Sequence, residues 1–358
     1  MIIDEKICIL LLIYILIVKE INSSIYLKDN FLFKNLVINK KNLDSSYFYN
    51  YDNLKWDGKI VAIGDIHGDI EGLKLILKHS NLIDENDEWC GENVLLIQVG
   101  DILDRGIYGP LIYDYLFDLQ KKAVIKNSKI ILILGNHEQL NLCGYYNYVN
   151  EKETQLFFEN NYNYRSFSFN NKNGNYFKKL IKLPSIVKVN NAIFTHAGIS
   201  KKMSQFSINL INLKIRLQIE NKCKILKYDN YNYLNHDSVL WYDDFSYKVR
   251  LNHHEGCSEL FQILKKYNSS YLVVGHTKQV SHKIGSFCDN KYFLIDTGMS
   301  LFMNNGISHP SYLLIEQNKF KSIHLFIEYR NKKKCSREIH LHNPYNKKLC
   351  IYSKQIDF

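Results

Sequence analysis

The chain has 358 residues, 46% hydrophobic and 23% charged, a soluble balance that supports a sizeable core and excludes wholesale disorder. Only 4 Pro and 17 Gly exclude collagen-like and proline-rich architectures, and no apolar run reaches the roughly 20 residues of a membrane span. The net charge of +10 would suit anionic partners, but the lysines are spread along the chain, so a basic solvated surface is expected and a nucleic-acid groove is not.

At the N-terminus, Ile7 to Val18 is free of charge and is followed by Asn22, Ser23 and Ser24. Such a run is too short to span a bilayer and matches the apolar core of a secretory signal, read here as residues 1–23. Asp4 and Glu5 offset Lys6, which weakens the positive start such signals carry; a buried helix or uncleaved anchor is the competing reading. A secretory route, to the endoplasmic reticulum or a later endomembrane compartment, would make disulfides permissible. The 8 cysteines are widely spaced and form no Cys-x-x-Cys pair, so bridges are allowed but not assigned. Residues 24–55 read as an extension, 56–330 as the main domain, and 331–358 as a tail. Arg330, Lys332, Lys333, Lys334 and Arg337 make the tail's start basic, which admits peripheral contact with acidic lipid.

From Trp56 the pattern is α/β. Lys59–Ile63 reads as a buried strand, and Ile70, Leu73 and Leu77 recur at helical spacing. Val94–Val99 is a second strand, 108–122 a helix, and Lys129–Leu134 a third strand followed by a helix. Strand and helix alternation of this kind implies a mostly parallel sheet. Val187–Thr195 reads as a hairpin turning at Asn190-Asn191, and 258–267 as a helix leading into a strand at 271–275. Further strands are expected at Tyr292–Ile295, Tyr312–Ile315 and near Ile323–Ile327, giving a strand-rich later half and a second sheet packed on the first. Stretches near 139–185 and 201–236 fit less well and read as insertions covering one face.

Five strands run into polar clusters: Gly64-Asp65-Ile66-His67-Gly68, Gly100-Asp101-Ile102-Leu103-Asp104-Arg105-Gly106, Gly135-Asn136-His137-Glu138, His196-Ala197-Gly198 and Gly275-His276-Thr277. The carboxyl ends of strands in an open α/β sheet share one edge, where ligands bind, so five segments spread over more than 200 residues can converge there. The adjacent glycines allow tight turns beside the polar residues. An Asp, Asn and His set without thiolate suits manganese, iron or zinc, and its size suits two ions sharing a carboxylate. Two such ions activate water and clamp both oxygens of an in-line displacement, the chemistry of phosphate-ester hydrolysis.

These five motifs, in this order, resemble the phosphoprotein phosphatase superfamily of calcineurin-like metallophosphoesterases. His196-Ala-Gly and Asp296-Thr-Gly-Met-Ser are similar to its bacterial-type branch, and in a chain with 26 Tyr, 19 Phe and abundant Asn, Lys and Ile, all residues with AT-rich codons, the whole pattern resembles the Shewanella-like protein phosphatases. The signal-like start suits an apicomplexan member. The resemblance implies an α/β fold of two packed mixed sheets flanked by helices. It implies Asp65 and His67 on one divalent ion, Asp101 bridging two, and Asn136, His196 and His276 on the second, with manganese first among the metals. Arg105 would bind phosphate, aided by Asn136; His137 would protonate the leaving oxygen and Asp104 would orient it. It implies a phosphoprotein substrate, on Ser/Thr or Tyr, attacked by activated water without a covalent intermediate. A dinucleoside polyphosphate hydrolase or a catalytically weak metal-holding scaffold are the alternatives. Relatives of this branch often carry an arginine after a segment like Val239–Tyr242, whereas this chain has Asp243 and Asp244; Arg165, Arg216 or Arg250 are the available substitutes.

Overall fold

A computed structural model describes residues 49–226, 229, 231–329, 337–339 and 349–358. The signal-like segment, most of the extension, Cys8, Cys335, and the basic cluster at Arg330 and Lys332–Lys334 lie outside the described residues.

Twelve described strands form two sheets. β1 (Lys59–Ile63), β2 (Val94–Gln98) and β3 (Lys129–Leu132) pair in parallel. α1 (Ile70–His79) and α2 (Gly109–Ile125) supply the crossovers. α3 (Asn136–Leu142) follows β3, and the first insertion folds into α4 (Glu151–Phe157), α5 (Tyr162–Asn170) and α6 (Asn175–Leu180). β4 (Ile186–Val189) and β5 (Ala192–Thr195) form the expected hairpin, with Asn190 left-handed at φ 54°. α7 (Ile208–Glu220), α8 (Asp244–Leu251) and α9 (His253–Lys266) precede β6 (Tyr271–Val274), β7 (Gly285–Phe287) and β8 (Tyr292–Leu294). β9 (Ser311–Glu316), β10 (Lys319–Tyr329), β11 (Arg337–Ile339) and β12 (Leu349–Asp357) end the chain.

The sheet orders are β11-β12-β10-β9-β1-β2-β3 and β4-β5-β6-β8-β7. Both are mixed: the first is parallel from β1 to the β3 edge and antiparallel from β1 through β9 to β11, and the second has a parallel centre and antiparallel edges. Strand period explains the packing, because successive side chains point to opposite faces. Ile60, Ala62, Leu95, Ile97 and Ile131 face Val187, Phe194, Val273 and Phe293 of the other sheet. Val61, Ile63, Leu96, Leu132, Leu272 and Leu294, on alternate positions, pack with the helical layers instead. Two-sided burial is why these strands read as continuous apolar runs.

Three expectations need correction. The late strands β9 and β10 do not build the second sheet; they extend the first from β1, in antiparallel register with Ile60 opposite Ile315. Tyr312 and Leu313 serve opposite faces, so β9 is suited to continue a sheet covered on both sides. β12 pairs with β10 from Lys321–Asp357 to Tyr329–Leu349, so the sheet continues into the stretch read as a tail. α9 also begins five residues before the expected 258, capped by Asn252, whose side chain accepts from the Glu255 N–H.

Disulfides join Cys143 to Cys223 and Cys257 to Cys288. The first ties the end of α3 to the segment after α7, linking the two insertions. The second uses both thiols near His253, whose ring nitrogens lie 3.6 Å from Cys257 Sγ. Trp89 is a core residue, and Trp56 packs on the inter-sheet cluster.

Candidate dinuclear metal site

β1, β2, β3, β5 and β6 all end at one edge, and the polar clusters converge there. The backbone is forced into shape at this edge. His67, Asp101, Asp104, Arg105 and His276 all have positive φ, between 43° and 66°. Such conformations cost non-glycine residues of order 1–3 kcal/mol each and persist where surrounding structure over-determines them. Glu138 supplies much of that structure. Its buried carboxylate accepts from the N–H groups of Gly135 (2.8 Å), Asp101 (2.8 Å), Ile102 (3.0 Å) and Leu103 (3.1 Å). One side chain therefore clamps the loop after β2 to the start of α3.

Two glycines act differently from the tight-turn expectation. Neither Gly135 nor Gly275 has positive φ; each makes room. A Cβ at Gly135 would overlap Asp101 Oδ1, and one at Gly275 would overlap Asp65 Oδ1. Gly275→Ala should therefore push Asp65 out of place and weaken metal affinity by about 10–100-fold, the range for disturbed support of a metal ligand. Metal titration of the purified variant, with unchanged melting of the metal-free form as control, measures this. Wild-type affinity would contradict the placement.

Asp101 lies at the centre. Its Oδ1 is 3.4 Å from His196 Nε2, while its Oδ2 is 3.6 Å from His67 Nε2 and 3.8 Å from His137 Nε2. The two oxygens thus face two groups of metal-type ligands that share this one carboxylate. On the Oδ1 side, Asn136 Oδ1 is 2.7 Å from His196 Nε2 and 3.1 Å from His276 Nδ1, and the two imidazole nitrogens are 3.2 Å apart. The ring orientations are fixed from behind: His67 Nδ1 lies 2.9 Å from the Leu103 carbonyl and His196 Nδ1 2.9 Å from the Val99 carbonyl. Those carbonyls hold the proton on Nδ1 and leave Nε2 for the site. Asp65 accepts the backbone N–H of His276 at 3.0 Å and lies against Gly275, which places it at the same edge.

The electrostatics fit divalent cations. Four carboxylates, those of Asp65, Asp101, Glu138 and Asp296, are buried together. Burial, then Asp296 and Asp101, push Asp65 well above the usual carboxylate range. Burial chiefly raises Asp296 to about 6. This is a surplus of buried negative charge that a cation would relieve. Burial, then His137, lowers His67 to about 4, and burial, then His196, lowers His276 to about 3. Both rings thus stay neutral and keep a lone pair. For His196 burial is outweighed by Asp101, which raises it; there a proton and a metal ion answer the same carboxylate. The Asn136 amide is likewise placed to donate to these acceptors if turned over, and to offer its oxygen when a cation is present.

His137 differs from the other imidazoles. Its Nδ1 is 2.7 Å from Asp104 Oδ2. Burial opposes charge on it, but Asp101 and Asp104 prevail and hold it above its ordinary 6.5. Arg105 is exposed at the rim, stacked on Tyr148 at 4.2 Å. Tyr148 also meets the His137 ring edge-on at 5.0 Å, and Trp241 meets His276 at 6.1 Å.

The structure thus brings together Asp65, His67, Asp101, Asp104, Asn136, His137, His196 and His276, with Arg105 beside them. Of the suggested substitute arginines, Arg165 is fully buried and cannot meet a substrate. Arg216 lies 3.7 Å from Glu220, and Arg250 donates to Gln279 at 2.9 Å. Asp243 and Asp244 sit at the start of α8 beside His236. Glu138, Tyr148 and Glu153 were given no role from sequence, and Arg165 none beyond that of a substitute phosphate-binding arginine. The capping-box spacing of Gly135 and Glu138 is a signal for the first; nothing local marks the others.

A shared carboxylate between two imidazole-rich groups, on paired mixed sheets, defines a metallophosphoesterase arrangement. The sequence model for calcineurin-like phosphoesterases matches residues 58–280, and the chain belongs to that family. It is 61% identical over 357 residues to Shewanella-like protein phosphatase 1 of Plasmodium berghei (strain Anka), covering 99% of this chain and 98% of that protein. It is 28% identical over 290 residues to Shewanella-like protein phosphatase 2 of Arabidopsis thaliana, covering 70% and 73%. Among solved structures, the cold-active protein-tyrosine phosphatase of a psychrophilic Shewanella species shares the fold, with a TM-score of 0.67 at 24% identity, over 79% of this chain and 82% of that one.

Proposed function

We propose that this chain is a metal-dependent protein phosphatase that hydrolyses phosphomonoesters on phosphoproteins. The observation that carries it is Asp101, whose two oxygens face two separate ligand groups at 3.4 and 3.6 Å. Asp65 and His67 would hold one divalent ion, Asn136, His196 and His276 the other, with Asp101 shared. Bound ions would supply Lewis acidity and a water activated at neutral pH. The oxygen and nitrogen ligands favour manganese, with iron or zinc as competitors.

The protein's own residues do the rest. Arg105 carries a planar fork of donors suited to phosphate oxygens, and its stacking on Tyr148 aims it. His137, protonated and aligned by Asp104, stands ready to give its Nε2 proton to the leaving oxygen. The full-length likeness to a protein named as a phosphatase supports the phosphoprotein reading. Likeness to a symmetrical bis(5'-nucleosyl)-tetraphosphatase of Buchnera aphidicola subsp. Schizaphis graminum covers only 40% of this chain. The two disulfides suit an oxidising compartment and, with the signal-like start, support a secretory route.

The test is phosphate release from matched phosphotyrosine and phosphoserine/threonine peptides, with diadenosine tetraphosphate alongside. Release from peptides is expected, and their ratio assigns the side-chain class. Cleavage of the dinucleotide alone would overturn the reading.

A further inference from the structure

The catalytic pair His137–Asp104 has a partner that comes from the first insertion. Arg165, on α5, is fully buried. Its Nε and Nη2 donate to Glu153 Oε1, on α4, at 3.1 and 2.9 Å. Its Nη1 donates to Asn141 Oδ1 at 2.5 Å, and its Nη2 lies 3.7 Å from Asp104 Oδ1. The ring faces of Tyr146 and Phe169 flank the guanidinium at 5.0 and 4.7 Å.

Asn141 joins this cation to the catalytic pair. Its Nδ2 donates to Asp104 Oδ1 at 2.9 Å and to the His137 carbonyl at 2.8 Å. An amide can be turned either way, and the choice matters here. Turned over, its oxygen would face a carboxylate and a carbonyl, both acceptors. Arginine can only donate, so a guanidinium against Asn141 Oδ1 fixes the oxygen on its own side and sends the NH₂ to Asp104. Asp104 is then held on both oxygens, by Asn141 on Oδ1 and by His137 on Oδ2.

We infer that Arg165 is a positioning residue for proton donation by His137, acting through Asn141 and Asp104, and that α4 and α5 are built to hold it there. The inference rests on the proposed role of His137 as acid. It predicts a loss that depends on the leaving group. An alkyl alcohol leaves poorly without a proton, whereas para-nitrophenolate leaves readily, so a misaligned acid is costly only for the former.

Removing Arg165 alone would strand Glu153, whose Oε2 already has no hydrogen-bond partner. The test therefore uses Arg165→Met with Glu153→Leu, since replacing both members of a buried pair by apolar residues tends to preserve stability. Asn141→Leu is measured in parallel. Manganese-loaded variants are assayed for kcat and KM on a phosphoserine peptide and on para-nitrophenyl phosphate, with His137→Asn for reference. Expected is a kcat loss of about 10–100-fold on the peptide, the scale of outer supporting contacts, at unchanged KM and metal content, against a few-fold loss on para-nitrophenyl phosphate. Asn141→Leu should show the same selectivity and add little when combined, because the residues act in series. Equal loss on both substrates, or none, in variants that keep their metal would overturn the inference while a selective His137→Asn leaves the acid assignment standing. An unselective His137→Asn would overturn that assignment and the inference together.

Discussion

Asp101→Asn is expected to lower phosphate release by about 10³-fold, equivalent to roughly 4 kcal/mol of lost barrier reduction. The reason is position rather than charge alone. One carboxylate faces His196 on one side and His67 on the other, so its loss disturbs both ligand groups at once. The isosteric amide can still accept the His137 N–H that Asp101 Oδ1 takes at 3.0 Å, and the Glu138 clamp acts on the Asp101 backbone. The fold should therefore persist while metal content falls. Steady-state kcat at saturating manganese, with metal analysis of the same sample, checks it. Near wild-type turnover would mean that Asp101 does not link the two groups.

The second large effect belongs to His137. His137→Asn should reduce kcat by about 10²–10⁴-fold on poor leaving groups, the usual contribution of a positioned acid. The pH dependence fixes the sign. Asp101 and Asp104 raise the His137 pKa against the opposing effect of burial, so the ring keeps its proton above pH 6.5 and loses it on the alkaline side. Wild-type kcat should fall along that alkaline limb. The variant should lack the limb, because the group that titrates there is gone. An unchanged limb in His137→Asn would assign it to another group. On the acid side, His67 and His276 stay neutral down to about 4 and 3, so their protonation competes with metal only at low pH.

Much of this site could be read from the chain because its parts are local. Each ligand follows an apolar strand within four residues, and the topology brings strand ends together without further instruction. Glycine beside a ligand carries more than turn geometry, as Gly135 and Gly275 show: they leave the space that Asp101 and Asp65 occupy. That reason appears only when distant segments meet. The same limit hid the role of Arg165 and Glu153. They lie in the first insertion, whose composition gave no helix signal, and their importance comes from the contact of Arg165, held by Glu153, with Asn141 and Asp104 across the fold. The sheet assignment of β9, β10 and β12 was hidden for a related cause. A strand's apolar alternation fixes which faces are covered, but not which edge it joins.

The most direct test of the whole account is a metal titration of activity. The protein would be stripped with chelator, returned to metal-free buffer and given measured equivalents of Mn²⁺ while phosphate release from a phosphopeptide is followed. The account predicts negligible release without metal and activity that rises to a plateau near two equivalents per chain, the number its two ligand groups can hold. Full activity in the stripped protein, or a plateau at a single equivalent, would contradict a site built around the shared carboxylate of Asp101.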